Sequence, residues 1–264
     1  MEKILGLLKL GVFGWMMGWG LGVAGGGQVS LAEGPAKPSP AIQAMRANLN
    51  SPNVQIRIQA IVGLGRRGDR EALPAMRKFL QDPDKRVRAV ALNALYELED
   101  RESLTAFREA LKAAEPETRA LAVRVVGEWQ DRDSIPQVRR LLQDPDADVR
   151  AAAVESLSRL RDQESIPAIR KSLSDEDSAV RFAALQALGR LHDQKSISLV
   201  RNLLRDKDSQ VRAMSIRVLA ILGDRQSIPA FQKFLHDPDE EVRTAAVQAL
   251  RHLGQEIPGP KEKP

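Results

Sequence analysis

Apolar residues recur at helical spacing along the chain beyond its first 40 residues. One apolar stripe consists of Val149, Ala153, Val154, Leu157 and Leu160. Spacings of three and four residues put such a set on one side of a helix, with small alanines where a neighbouring helix comes close. A turn aspartate, Asp162, and a shorter apolar run with Ile169 and Leu173 follow. Because no stretch alternates with period two, the pattern predicts a long and a short helix and no sheet.

This pair of helices repeats every 31 residues without insertion or deletion. The step is clearest in an arginine that recurs at Arg57, Arg88, Arg119, Arg150, Arg181, Arg212 and Arg243. The turn aspartate keeps the same step at Asp69, Asp100, Asp131, Asp162, Asp193 and Asp224. A period of this length is typical of a solenoid, in which each unit is too small to bury its own apolar face and stacks on its neighbours. The predicted fold is therefore an all-α solenoid of about seven two-helix repeats.

Local residue choices indicate where these helices begin. Asp144, Pro145 and Asp146 predict a capping aspartate followed by a proline at the first helical position, where a missing N–H costs nothing. Pro167 should restrict the first turn of the shorter helix. The third long helix lacks the capping aspartate and has Thr118 in place of the usual valine. We expect the joint at that helix to be the softest of the stack, and we attribute the departure itself to sequence drift that the neighbouring units tolerate.

The unit as a whole resembles a known repeat. Its pattern, Asp-x-Asp-x-x-Val-Arg, an alanine-rich helix, an aspartate turn and then Ser-Ile-Pro, is similar to the HEAT repeat in the short variant also found in phycobilisome lyases. The resemblance covers residues 38 to 254 and implies that the short helix comes first in each unit. The units are then 38–68, 69–99, 100–130, 131–161, 162–192, 193–223 and 224–254. A repeat of this kind specifies a fold and says little about activity.

The N-terminal segment has the features of an export signal. Lys3 and Lys9 precede an uncharged apolar and glycine-rich run over 10–29, and Ser30 and Ala32 are small residues at the positions that a signal peptidase reads. We predict cleavage after Ala32; the alternative is an uncleaved membrane anchor. The predicted organisation is a signal peptide over 1–32, a linker over 33–40, the solenoid over 41–254 and a flexible tail over 255–264. The mature protein is then expected in the bacterial periplasm or secreted, without membrane insertion.

The charge pattern bears on possible partners. The formal net charge is +5, yet the repeated arginine follows an acidic residue by four positions in most units, as Arg150 follows Asp146. Such pairs are favourable on a helix, and the arginine could also reach a turn aspartate of an adjacent unit. The alternative is a basic stripe that grips phosphates. We favour a structural ladder, because stacking alone requires a residue of this kind in every unit.

Candidate catalytic chemistry is sparse. The chain has no cysteine, which excludes a thiol catalyst and a thiolate metal site. His192, His236 and His252 lie at different repeat positions, and none is followed by the glutamate that an iron-binding HEAT-type hydroxylase would show. Glycine-rich phosphate loops, nucleophile elbows and zinc spacings are also missing from the sequence. We predict no catalytic residue, no metal site, no cofactor and no enzymatic activity, with a lyase-like activity left open by the resemblance.

A partner would bind where packing does not dictate the residue. Six such positions on the long helices of central units are Tyr96, Arg124, Arg159, Phe182, Arg190 and Arg217. Aromatic residues and arginine carry much of the energy of protein interfaces. We expect these positions to face the concave side of the stack and to bind a protein segment. The alternative is an ordinary solvated helix face.

Three functions therefore remain open. The first is an exported, non-enzymatic scaffold or adaptor that binds a protein partner, and it explains the lack of catalytic residues. The second is a chromophore (bilin) lyase-like subunit, which the repeat variant suggests and the export signal disfavours. The third is a binder of an anionic ligand or nucleic acid through inner arginines, which would show a steep salt dependence. We rank them in that order and regard nucleic acid as a disfavoured partner.

Overall fold

The fold is known from a computed structural model, which describes residues 38–255. Within this range the chain forms fourteen α-helices and no strand. In chain order they are α1 Pro40–Asn48, α2 Val54–Arg66, α3 Leu73–Lys78, α4 Lys85–Glu97, α5 Leu104–Ala110, α6 Pro116–Glu128, α7 Ile135–Leu141, α8 Ala147–Arg159, α9 Ile166–Lys171, α10 Ser178–Arg190, α11 Ile197–Asn202, α12 Ser209–Ile221, α13 Ile228–Phe234 and α14 Glu240–His252. The odd-numbered helices are short and the even-numbered ones long, so the predicted all-α solenoid is confirmed.

The helices pack in two layers. Each long helix contacts the long helix of the next unit, and each short helix contacts the long helix of its own unit. Neighbouring long helices α6 and α8 approach each other closely at Gly127, where an added Cβ would lie 2.9 Å from Ser156 Cα. A small residue is therefore required at this contact.

Five of the seven long helices of residues 38–255 begin after a capping aspartate, and α2 begins after a capping asparagine, Asn53. In α8 the Asp146 carboxylate accepts a hydrogen bond of 3.2 Å from the Val149 N–H, and the helix starts at the next residue, Ala147. Pro145 therefore lies before the cap, which corrects the predicted position of the proline inside the first turn. The capping aspartates are Asp84, Asp146, Asp177, Asp208 and Asp239. In α6 the equivalent residue is Glu115, whose side chain accepts no capping hydrogen bond, as the sequence predicted.

Each unit ends at a residue with left-handed backbone geometry. After α8 this residue is Arg161, with φ of 52°, and the next N–H, of Asp162, donates to Leu157 O at 3.0 Å. This pattern is a Schellman motif, which satisfies carbonyl groups at the end of a helix. The residues with positive φ are Gly68, Glu99, Gln130, Arg161, His192, Gly223 and Gly254. They coincide with the ends of the seven units proposed from the sequence.

The short helices begin with a tight turn. A 3-10 turn over Gln163–Ser165 leads into α9, and Pro167 lies in the first turn of that helix. A proline is tolerated there because its missing N–H would have no partner inside the helix. The turn also buries the aspartate that opens the unit, Asp162.

The hydrophobic core divides at one joint. One cluster of buried residues extends from Leu49 to Leu98, and a larger one extends from Leu92 to Leu253. Contact between α4 and α6, which flank this joint, is sparse compared with that of the other neighbouring long helices. This is the joint that the sequence predicted to be the softest; its mobility stays a prediction.

The proposed signal peptide, most of the linker and nearly all of the C-terminal tail lie outside the described residues. Among the helices of residues 38–255, none combines the length and the apolar character that a membrane crossing requires.

Candidate partner-binding face and the arginine ladders

The repeated arginine of the long helices joins neighbouring units. Arg150 donates from Nε and Nη2 to the two carboxylate oxygens of Asp175, at 2.9 and 2.8 Å. Its Nη1 donates to the carbonyl oxygens of Asp144 and Pro145, at 2.9 and 3.1 Å. The same ion pair joins Arg57 to Asp82, Arg119 to Asp144, Arg181 to Asp206 and Arg212 to Asp237. We call these contacts the long-helix ladder.

The partner of this arginine differs from the expected one. The aspartate four residues earlier, Asp146 for Arg150, is engaged as the helix cap, so its carboxylate faces the backbone of the first turn. The guanidinium instead reaches 25 residues ahead, to the loop aspartate that precedes the next long helix. We call that residue of each unit the loop aspartate; it is distinct from the turn aspartate.

The turn aspartates belong to a second ladder, which the sequence reasoning missed. Arg139 of α7 donates from Nε and Nη2 to Asp162 at 2.7 and 2.6 Å, and the Ser165 hydroxyl donates to the same carboxylate. The arginines of this short-helix ladder are Arg46, Arg77, Arg108, Arg139, Arg170 and Arg201. Their common 31-residue step was the available signal. The series of arginines ends at Arg201, because the corresponding residue of the last unit is Gln232.

Both ladders hold buried carboxylates in the charged form. Burial would raise the pKa of Asp162, but the hydrogen bonds from Arg139 and Ser165 outweigh it, so the pKa lies below its usual value. Burial would likewise raise the pKa of Asp175, but the hydrogen bond from Arg150 outweighs it, so this pKa also lies below its usual value. The arginines that form these ion pairs are therefore engaged in contacts between and within units.

Three of the predicted partner-binding residues lie near one another on α4, α6 and α8. The Tyr96 hydroxyl donates to Glu128 Oε2 at 2.6 Å. Burial and this carboxylate raise the pKa of Tyr96 to about 12, against the opposing charges of Arg124 and Arg159. Arg124 is exposed and forms no hydrogen bond or ion pair with any residue of the described range. This cluster thus contains one uncommitted guanidinium next to a half-buried tyrosine.

The other predicted residues are more fully engaged. Arg159 donates to Glu155 at 2.7 Å, and Arg190 donates to the Ser158 hydroxyl at 3.2 Å. Arg217 donates to Glu241 Oε1 at 3.1 Å. Phe182 is half-buried and packs against the larger core cluster. We call the exposed surface that carries these six residues the long-helix face.

A candidate metal site is not found there or elsewhere in residues 38–255, since no three His, Asp or Glu side chains are grouped to hold an ion. A cleft of about 390 Å³ lies between the second and third units, at the joint where the core divides. It is lined by Arg88 and Leu92 of α4, by residues of α5, and by Ala113 and Glu115 of the loop between α5 and α6.

Comparison with known proteins identifies the repeat. The sequence profile of HEAT repeats matches residues 42–115, 104–181 and 166–251. No curated protein matches the sequence. The fold is similar to the CpcE and CpcF complex of phycocyanin lyase from Nostoc sp. PCC7120, with 22% identity, a TM-score of 0.54 and coverage of 85% of this chain and 91% of that one. It is also similar to YibA of Escherichia coli, with 19% identity, a TM-score of 0.53 and coverage of 81% and 92%. An engineered protein is similar at 20% identity, with a TM-score of 0.55 and coverage of 82% and 69%. On the strength of the repeat match, which spans most of its length, the chain belongs to the HEAT-repeat family.

Proposed function

We propose that this protein is an exported, non-enzymatic adaptor that binds a protein partner through the long-helix face. The observation that carries the proposal is the cluster of Tyr96, Arg124 and Arg159 on three consecutive long helices. Tyrosine and arginine are enriched among the residues that dominate protein interfaces. The exposed Arg124 guanidinium can pair with a partner without first breaking a contact inside the repeat stack.

The charge balance of this face supports a protein partner over a polyanion. Two of its arginines are already paired with carboxylates, Arg159 with Glu155 and Arg217 with Glu241. Glu128, at the Tyr96 hydroxyl, adds a further negative charge. A nucleic acid would need a stripe of unpaired cations for its phosphates. A mixed surface of this kind suits the mixed charges of a protein segment.

Crosslinking tests the proposal in the cell. A photo-crosslinking amino acid at position 124 should capture a defined partner. Position 140 is the matched control, because Arg140 is an equally exposed arginine on short helix α7, in the other layer. With the purified partner, Arg124→Ala should weaken binding at least five-fold, about 1 kcal/mol, and Arg140→Ala should not. Capture from position 140 alone would place the interface on the short helices and refute the proposal.

Export is the second part of the proposal and rests on Lys3, Lys9 and the small residues before Glu33. Mass spectrometry of the protein from its native host should show a mature N-terminus at Glu33. A dominant intact chain in the cytoplasm would contradict export. An intact chain in the membrane fraction would support the uncleaved anchor instead.

A chromophore lyase-like subunit is the second candidate, favoured by the similarity in fold to the CpcE and CpcF complex of phycocyanin lyase. At 22% identity that similarity concerns the fold alone. Mixing the purified protein with a free bilin and following the visible absorbance tests it. A saturable spectral change that is lost on mild urea unfolding would favour the lyase-like reading over the adaptor.

A further inference from the structure

Arg88, one of the repeated arginines of the long helices, has no loop aspartate as its partner. Arg88 of α4 is the counterpart of Arg150, and the position 25 residues ahead holds Ala113 in place of the loop aspartate. Arg88 still donates from Nη1 to the carbonyl oxygens of Asp82 and Pro83, at 2.8 and 3.1 Å. Its Nε and Nη2 have no acceptor among residues 38–255, whereas in Arg150 the same atoms bind Asp175. The Arg88 guanidinium is thus held through Nη1, while Nε and Nη2 remain available as donors to a ligand.

A second donor is left open by the same replacement. In the other units the loop aspartate also accepts a backbone hydrogen bond from the residue two positions later, as Asp144 accepts from the Asp146 N–H at 3.0 Å. The corresponding donor here is the Glu115 N–H, which has no acceptor in the described part of the chain. Ala113 has the same place in the repeat as Asp144: both lie between a short and a long helix, and the N–H of each donates to the carbonyl oxygen three residues earlier, at 3.1 and 3.2 Å. Three N–H groups are therefore without an acceptor in residues 38–255 at a place in the repeat where other units supply an aspartate carboxylate.

The surroundings define what could fill this position. The cleft at this joint has a volume of about 390 Å³, which exceeds what one carboxylate needs. Apolar side chains line it, Leu80, Leu92, Ala106 and Ala110 among them. Glu109 and Glu115 also line it, and Glu115 is only partly compensated by Lys85, whose Nζ lies 3.7 Å away. Two carboxylates close by disfavour a dianion such as phosphate and leave room for a single negative charge.

We propose that the cleft between α4 and α6 binds a monocarboxylate on an apolar stem, whose carboxylate takes the place of the missing loop aspartate. The guanidinium of Arg88 would bind it through Nε and Nη2, the Glu115 N–H would add a third hydrogen bond, and the stem would lie against the leucines and alanines of the cleft. Because the ladder already holds Arg88 by two carbonyl groups, little side-chain entropy is lost on binding. This site is independent of the long-helix face.

The Arg88 Nε–Hε signal in a nitrogen–proton correlation spectrum reports binding directly, and its loss in Arg88→Gln assigns it. Titration with butyrate at constant ionic strength should shift the signal saturably, and butyramide, which lacks the charge, should not. Ala113→Asp restores the missing carboxylate within the chain. It should shift the signal without ligand, raise the melting midpoint and weaken butyrate binding at least ten-fold. Gln143→Asp adds the same charge at an exposed position of the equivalent loop one unit further on, outside the lining of the cleft, and should change the affinity less than two-fold.

A second arm distinguishes the source of the carboxylate. An acetylated, amidated alanine peptide with one central glutamate is titrated in the same way as butyrate. Tighter binding of butyrate assigns the site to small organic acids, and tighter binding of the peptide assigns it to an acidic side chain of a protein. Equal responses to butyrate and butyramide overturn the proposal. So does undiminished butyrate binding by folded Arg88→Gln, measured by isothermal titration calorimetry because that variant lacks the Arg88 signal; this arm keeps the test valid even if Ala113→Asp fails to fold.

Discussion

The long-helix ladder predicts a large loss of stability when Arg150 is truncated to alanine. The change removes two charge-assisted hydrogen bonds to Asp175 and two bonds to carbonyl groups. The side chains of the pair are only 10% and 15% exposed, so the remaining carboxylate is poorly solvated. Within residues 38–255, the one other donor to this carboxylate is the Asp177 N–H, at 3.0 Å. Removing one partner of such a pair should lower the free energy of unfolding by about 2 to 4 kcal/mol.

Arg88 provides the matched control within the same protein. It makes the two carbonyl hydrogen bonds but has no loop aspartate as partner, so Arg88→Ala should cost only about 1 kcal/mol. The double variant Arg150→Ala with Asp175→Ala should recover part of the loss, because no uncompensated carboxylate remains.

Urea unfolding followed by far-ultraviolet circular dichroism measures these differences. The slopes of free energy against urea should agree among the variants, since a changed slope would mean that the units of the stack no longer unfold together. Equal losses for Arg150→Ala and Arg88→Ala would refute the reasoning, because the carboxylate would then contribute nothing measurable.

Three further predictions follow from the repeat geometry. Folding lowers the pKa of the turn aspartate Asp162, so its contribution to the free energy of unfolding is complete above the unfolded pKa of about 4 and is lost as the pH falls below that value. The melting midpoint should therefore stay level from about pH 7 to pH 5 and then drop. A midpoint that already falls above pH 5 would contradict this. Arg161→Gly should raise the free energy of unfolding by about 0.5 to 1 kcal/mol, because its φ of 52° suits glycine, and an unchanged urea midpoint would argue against backbone strain there. Gly127→Ala should lower the melting midpoint although alanine is the better helix former, because the new Cβ would lie 2.8 Å from Ser156 Cβ and 2.9 Å from Ser156 Cα; a higher midpoint would mean that α6 and α8 separate easily.

The contacts of the predicted binding residues decide which of them is suited to a test of partner binding. The sequence analysis placed Phe182 among the positions that packing does not dictate. Phe182 packs against the core, so its truncation should lower stability as well. Arg124 is the better position for a binding test, because its side chain is exposed and forms no hydrogen bond or ion pair within residues 38–255.

The sequence by itself determined the helices, their length and their stacking. A 31-residue step with apolar residues at helical spacing admits few arrangements other than a solenoid. Local chemistry was equally predictable where it acts over a few residues, as in the aspartate that caps α8 and the proline in the first turn of α9. These features depend on neighbours in the chain, which a sequence displays directly.

The tertiary structure decided which groups meet across units. Arg150 and Asp146 have the spacing of a helical ion pair, yet Asp146 caps the backbone and Arg150 pairs with Asp175 of the next unit. Similarly, the bond from Tyr96 to Glu128 joins residues 32 positions apart. Such partners depend on how far successive units are translated and rotated, because a guanidinium reaches only the carboxylate that stacking brings within about 3 Å. A repeat period predicts that units stack, and only their packing decides which side chains they bring into contact.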